Sequence, residues 1–160
     1  MYRYKLGGFV GLLAVGLLAL GVSASGQEKK GKDTGTGHEA HAKHLMECAK
    51  VCDDCARICD ACGAHCAMML AEGKKEHLKT LRSCQDCATT CAAASCITAR
   101  AGPYSDTICV ACADVCKRCG DACEQFRDDP MMRQCAEECR RCEKVCREML
   151  KHVGQGGKTK

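Results

Sequence analysis

The chain has 160 residues, with 24 Lys and Arg against 20 Asp and Glu. That length holds one domain of ordinary size, and the near balance of charge argues against a nucleic-acid surface. Three Tyr, two Phe and no Trp exclude a core built on aromatics, and nineteen cysteines are there to fill it instead.

Residues 1–24 read as a secretory signal. Arg3 and Lys5 give a basic start, Leu6 to Leu20 is an apolar run, and Val22-Ser23-Ala24 offers small residues for cleavage. Gly8, Gly11 and Gly16 interrupt a run shorter than the ~20 residues a spanning helix needs. The expectation is therefore an exported protein, periplasmic or extracellular after cleavage. Residues 25–37 are polar and glycine-rich and read as a flexible leader, and 154–160 as a flexible tail. The folded domain is expected over 38–153, where the only aromatics are Tyr104 and Phe126.

Within it the spacing predicts four helices, near 38–72, 75–101, 105–127 and 130–152. Gly73 suits the end of the first. Gly102-Pro103 stops the second, and Ser105 or Asp106 offers a cap for the third. Asp129-Pro130 places a capping residue before a proline whose missing N–H costs nothing at the first helical position. Gly154 is expected to end the fourth. Connections this short make neighbouring helices antiparallel, so the expected fold is all-α, an up-down-up-down four-helix bundle with a cysteine-lined core.

The cysteines fall in one group per helix. The first holds Cys48, Cys52, Cys55, Cys59, Cys62 and Cys66; the second Cys84, Cys87, Cys91 and Cys96. The third holds Cys109, Cys112, Cys116, Cys119 and Cys123; the fourth Cys135, Cys139, Cys142 and Cys146. Gaps of three and four alternate throughout, except before Cys96. This is the spacing that keeps one stripe of a helix turned toward its partners. Val51, Ile58, Ile108, Val115 and Val145 flank the stripes and are expected to seal the helix contacts.

Side chains three or four apart on a helix have Cβ atoms ~5–6 Å apart, beyond the ~3.5–4.5 Å of a disulfide. Wholesale pairing is therefore disfavoured, and an odd total leaves at least one thiol free. Soft thiolates select Cu(I), zinc or iron–sulfur clusters. Zinc favours separable four-ligand knuckles in loops, and the compact cysteine runs that hold iron–sulfur clusters are absent. A continuous ladder suits Cu(I), which accepts two or three sulfurs, so that many ions per chain share ligands. The alternatives from other classes are a thiol redox protein and a zinc-binding, metallothionein-like sink. No cysteine is set apart beside a base, so no enzymatic activity is expected.

The repeated CxxxCxxC runs, Cys48-Ala-Lys-Val-Cys52-Asp-Asp-Cys55 and Cys135-Ala-Glu-Glu-Cys139-Arg-Arg-Cys142, resemble the Cys-rich copper storage proteins over about 38–153. The resemblance implies a bundle that fills its core with Cu(I) and assembles as a homo-oligomer, a tetramer. It also implies a twin-arginine export route for exported members, and this chain has no such pair.

Continuing each stripe past its thiols places Met69, His77, Phe126 and Met132 at one mouth. His38, His41, Thr98 and Met149 fall at the other, near Tyr104. Thr80, Ala94 and Thr98 take stripe positions on the second helix. Thioethers are soft donors, so Met69 and Met132, with His77, join the nineteen cysteines as candidate metal ligands, and copper is expected to enter by their end. Cys96 leaves the stripe and is expected either to mark a distortion of helix 2 or to be a peripheral ligand.

Overall fold

The computed structural model describes residues 35–156. The expected signal segment and most of the expected leader lie outside them. Four helices account for nearly all of the described chain: α1 (Gly35–Ala71), α2 (Leu78–Ala99), α3 (Ser105–Cys123) and α4 (Pro130–Gly156). One-turn 3-10 segments, Lys75–His77 and Glu124–Phe126, lead into α2 and out of α3. No described helix is long and apolar enough to cross a membrane.

Each corner has a local cause. At the end of α1, the Gly73 N–H bonds the Leu70 carbonyl at 2.9 Å and the Lys74 N–H bonds the Met69 carbonyl at 3.0 Å. This paired closure needs a left-handed residue, and Gly73 supplies it with φ 89°. The end of α2 repeats the motif, with the Ala101 N–H on Thr98 and the Gly102 N–H on Ile97, both at 3.0 Å. There the left-handed residue is Ala101, φ 50°, rather than the expected glycine. Gly102 is needed for another reason: a Cβ on it would lie 3.1 Å from the Ile97 carbonyl oxygen.

At the start of α3 neither expected cap closes the helix. Tyr104 occupies the N-cap without a side-chain bond, the buried Ser105 hydroxyl donates to the Gly102 carbonyl at 2.7 Å, and Asp106 accepts from Thr107 next door. Asp129 does cap α4. Its Oδ1 accepts the Met131 and Met132 N–H groups at 2.8 and 3.1 Å, with Pro130 at the first helical position. Gly154 does not end α4, which runs on to Gly156.

α1 packs against α2 and α4, and α3 packs against the same two, while α1 and α3, like α2 and α4, face each other across the axis. That is the expected antiparallel bundle. Cys and Ala dominate its core, completed by Leu45, Val51, Met132, Met149, Thr80 and Thr98. Ile58, Ile108, Val115 and Val145 pack half-buried against it, at the seams between helices. Outside, Arg141 of α4 reaches Asp54 of α1 at 3.1 Å, and Arg147 reaches Asp114 of α3 at 3.2 Å. Exposed pairs of this kind contribute about 0–1 kcal/mol each and set alignment more than stability.

Candidate metal centre

Eighteen of the nineteen cysteines are buried and none is in a disulfide. The three-four spacing holds each helix's thiols on one line, and antiparallel packing points the four lines at a common axis. The sulfurs meet there in every direction. Along one helix Cys55 and Cys59 are 3.9 Å apart. Between neighbours Cys91 and Cys116 are 3.4 Å apart, Cys59 and Cys139 3.6 Å. Across the diagonal Cys48 reaches Cys109 at 3.7 Å and Cys52 reaches Cys112 at 3.9 Å.

Several sets of four sulfurs have all members within 4.8 Å of one another. They include Cys52, Cys112, Cys142 and Cys146; Cys55, Cys91, Cys116 and Cys142; Cys55, Cys59, Cys87 and Cys139; Cys59, Cys119, Cys135 and Cys139; and Cys62, Cys84, Cys123 and Cys135. Neighbouring sets share members: Cys142 joins the first to the second, Cys55 the second to the third, and Cys135 the last two. A chain of closed zinc tetrahedra needs separate ligand sets. Shared sulfurs form a continuous ladder, which suits a soft ion content with fewer ligands.

The ladder sulfurs bias one another's ionisation in opposite directions. Burial pushes every ladder thiol upward, but a sulfur that accepts several S–H donors is stabilised as thiolate. Cys55 is held low by Cys116, Cys139 and Cys142, and Cys119 by Cys123, Cys135 and Cys139. Their partners are pushed up by bonds to their own neighbours, Cys116 by Cys112 and Cys142, and Cys139 by Cys119 and Cys135. At the end of α1, the bond to Cys62 pushes Cys66 up to about 12. Along α1 the directions alternate strictly from Cys48, lowered, to Cys66, raised. Neighbouring thiols share protons, so the titration belongs to the ladder rather than to single residues.

The ends differ. At the α1–α2 and α3–α4 corners Met132 is fully buried and accepts from the Cys62 thiol at 3.5 Å. His77, 5% exposed, stacks on Phe126 with ring centroids 4.2 Å apart. Its Nδ1 is buried without a hydrogen-bond partner among the described residues. Met69 lies at the same end but is partly exposed, and its sulfur accepts from the Lys74 ammonium at 3.2 Å. At the opposite end Leu45, Thr98 and Met149 are buried, and Tyr104 is 70% exposed. His38 and His41 fall on α1 outside the residues whose side chains are described.

Cys96 is exposed on a continuous α2, while Ala94 and Thr98 keep the core positions. Five residues after Cys91 it is turned about 140° off the stripe. Two contacts were not legible in the sequence: His65 Nε2 meets Asp129 Oδ2 at 2.7 Å, and His44 stacks on His152. Both join residues far apart in the chain, and no spacing rule pairs them.

The profile of the copper storage protein family matches residues 38–151, the whole thiol ladder. The chain belongs to the copper storage protein family. The match leaves out only the segments before and after the bundle. Solved structures agree. A cytosolic copper storage protein from Streptomyces lividans, caught loading five coppers, is 32% identical with a TM-score of 0.64; the alignment covers 70% of this chain and 96% of that one. The same Streptomyces protein loaded with 10 copper equivalents gives 32% identity and 0.63, over 69% and 86%. The Cu(I)-bound copper storage protein BsCsp3 gives 31% and 0.60, over 67% and 98%. No curated protein matches.

Membership makes copper storage the function of the bundle, with several Cu(I) ions bound through core thiolates. It also corrects one expectation. The export read from residues 1–24, periplasmic or extracellular, is overturned by the likeness to a cytosolic storage protein. Thiols packed at 3.4–4.0 Å keep their capacity for metal only while they stay reduced, which an oxidising compartment does not favour.

Proposed function

We infer that the eighteen buried cysteines are the storage ligands, that Met132 and His77 extend the ladder at one end, and that the chain is a store rather than a catalyst. The sharing of sulfurs between neighbouring four-cysteine sets carries this reading. A storage core needs many near-equivalent ligands, whereas a thiol oxidoreductase needs one accessible, low-pKa sulfur with a resolving partner. The exposed Cys96 stands outside the ladder and has no such partner among the described residues. Anaerobic titration of the reduced chain with Cu(I), against a chromophoric chelator, tests the reading. The expected capacity is on the order of ten or more ions per chain, because each thiolate can serve two ions. Saturation at about four ions or fewer would replace storage with discrete sites.

Copper is proposed to enter at the Met132 end. The unpartnered Nδ1 of His77 and the sulfur of Met132, in contact with Cys62, supply donors that lead from the corner into the ladder. Met69 is the outermost donor there, once it leaves Lys74. A thioether is neutral at any pH and passes an ion on without a proton change. Replacing Met69 and Met132 by Leu conserves volume, at a cost typically under ~1.5 kcal/mol, and is expected to slow loading in stopped-flow mixing with little loss of capacity. Unchanged rates would move the route to the other end. A homo-oligomer, a tetramer as in the family resemblance, completes the proposal, and light scattering on the reduced chain measures it.

A further inference from the structure

The first, third and fifth of the four-sulfur sets described above have no member in common; Cys52, Cys87 and Cys62 mark them. The other two, marked by Cys91 and Cys119, each borrow sulfurs from these three. All five cannot close around separate ions at once, but these three can. They follow one another along α1, from Cys52 through Cys55 and Cys59 to Cys62, and every sulfur in them is fully buried.

Zn–S bonds of ~2.3 Å at the tetrahedral angle place sulfurs about 3.8 Å apart. In the Cys52 set, Cys52 lies 3.6, 3.8 and 3.9 Å from Cys146, Cys142 and Cys112, and Cys112 lies 3.9 Å from Cys142. In the Cys87 set, Cys59 is 3.6 Å from Cys139 and 3.9 Å from Cys55. In the Cys62 set, Cys84 is 3.9 Å from Cys123. Every other pair within a set stays inside 4.8 Å, so small side-chain rotations close each set on one ion. Charge decides how firmly such ions are held. A divalent cation with four thiolates leaves two negative charges at the axis, and no described Lys or Arg is buried to meet them. Cu(I) matched one to one with thiolates leaves none, so copper displaces the divalent ion.

We propose that, without copper, the ladder holds divalent cations of the Zn(II) class in the Cys52, Cys87 and Cys62 sets and exchanges them for Cu(I). The proposal rests on the reading of the ladder cysteines as metal ligands and adds a second class of metal to them.

The test uses the full chain, reduced, metal-free and anaerobic, with Co(II) as the probe. The expected result is saturation at three Co(II) per chain, one per set, with the ligand-field and thiolate charge-transfer bands of tetrahedral four-sulfur sites. Zn(II) should displace the probe, and Cu(I) should release the Zn(II). Cys87→Ala and Cys62→Ala should each lower the stoichiometry to two. Cys91→Ala, equally buried but outside the three sets, should leave it at three. Circular dichroism on each variant confirms the bundle. A stoichiometry other than three, bands of lower sulfur coordination, an equal loss in the Cys87 and Cys91 variants, or Zn(II) retained against excess Cu(I) overturns the proposal. Cu(I) capacity, titrated separately on the metal-free chain, judges the storage reading by itself.

Discussion

Cys116 lies within 4.0 Å of four other thiols: Cys91, Cys87, Cys55 and Cys112. Cys96, on α2, is exposed and makes no thiol contact among the described residues. Residues of one type on adjacent helices thus have opposite consequences. Cys116→Ala is expected to lower Cu(I) capacity by about one or two ions, since several shared positions lose a ligand together. It should also cost the apo bundle about 1 kcal/mol, because the removed sulfur leaves a small void at the axis. Cys96→Ala is expected to leave both capacity and stability unchanged. Parallel copper titrations and denaturant unfolding of the two variants check the contrast, and an equal loss of copper in both would place Cys96 in the ladder.

At the scale of elements, Asp129 joins α4 to α1. Its Oδ1 caps α4, and its Oδ2 meets His65 of α1, so it fixes the corner beside Met132. Burial works against its charge, but the Met132 N–H and His65 outweigh it and hold the carboxyl below the usual carboxylate range. A carboxyl lowered in the folded state gives stability that is present above its unfolded pKa and lost as pH falls through the folded one. Asp129→Ala is expected to cost about 1 kcal/mol at neutral pH, the usual loss for an N-cap. Asp129→Asn keeps the acceptor and should cost less, while removing this residue's share of the acid sensitivity. Denaturant midpoints at pH 7 and pH 3 separate the three proteins; identical midpoints for wild type and Asp129→Ala at pH 7 would show that α4 does not depend on the cap.

At the scale of the molecule, the fold's supports are independent of metal. The helix closures at Gly73 and Ala101, the Asp129 cap and the apolar seams exist without any ion. A zinc finger has no comparable core and unfolds without its metal. The reduced, metal-free chain is therefore expected to show a largely helical circular dichroism spectrum. Copper then stabilises by mass action, about 4 kcal/mol for a site whose free ion stands ~1,000-fold above Kd. Melting temperature should climb steadily with copper added. A coil spectrum that turns helical only on copper addition would mean that packing of thiols and alanines is too weak to drive folding.

The sequence by itself determined the bundle, the thiol stripes and the soft-metal chemistry. Alternating gaps of three and four are a helical signal strong enough to survive any local detail, and Gly73 and Asp129-Pro130 carry their turn chemistry in their own residue types. Even the departure of Cys96 from the stripe was arithmetic on the helical period. What only the tertiary structure decided was which residues from different helices meet. The cross-axis contacts of Cys48 and Cys52, the overlap of the four-sulfur sets, the His65–Asp129 pair and the His44–His152 stack all depend on the relative height and rotation of the helices. Those are set by side-chain interlocking along the whole length of each helix pair, a sum over many contacts that no single spacing records.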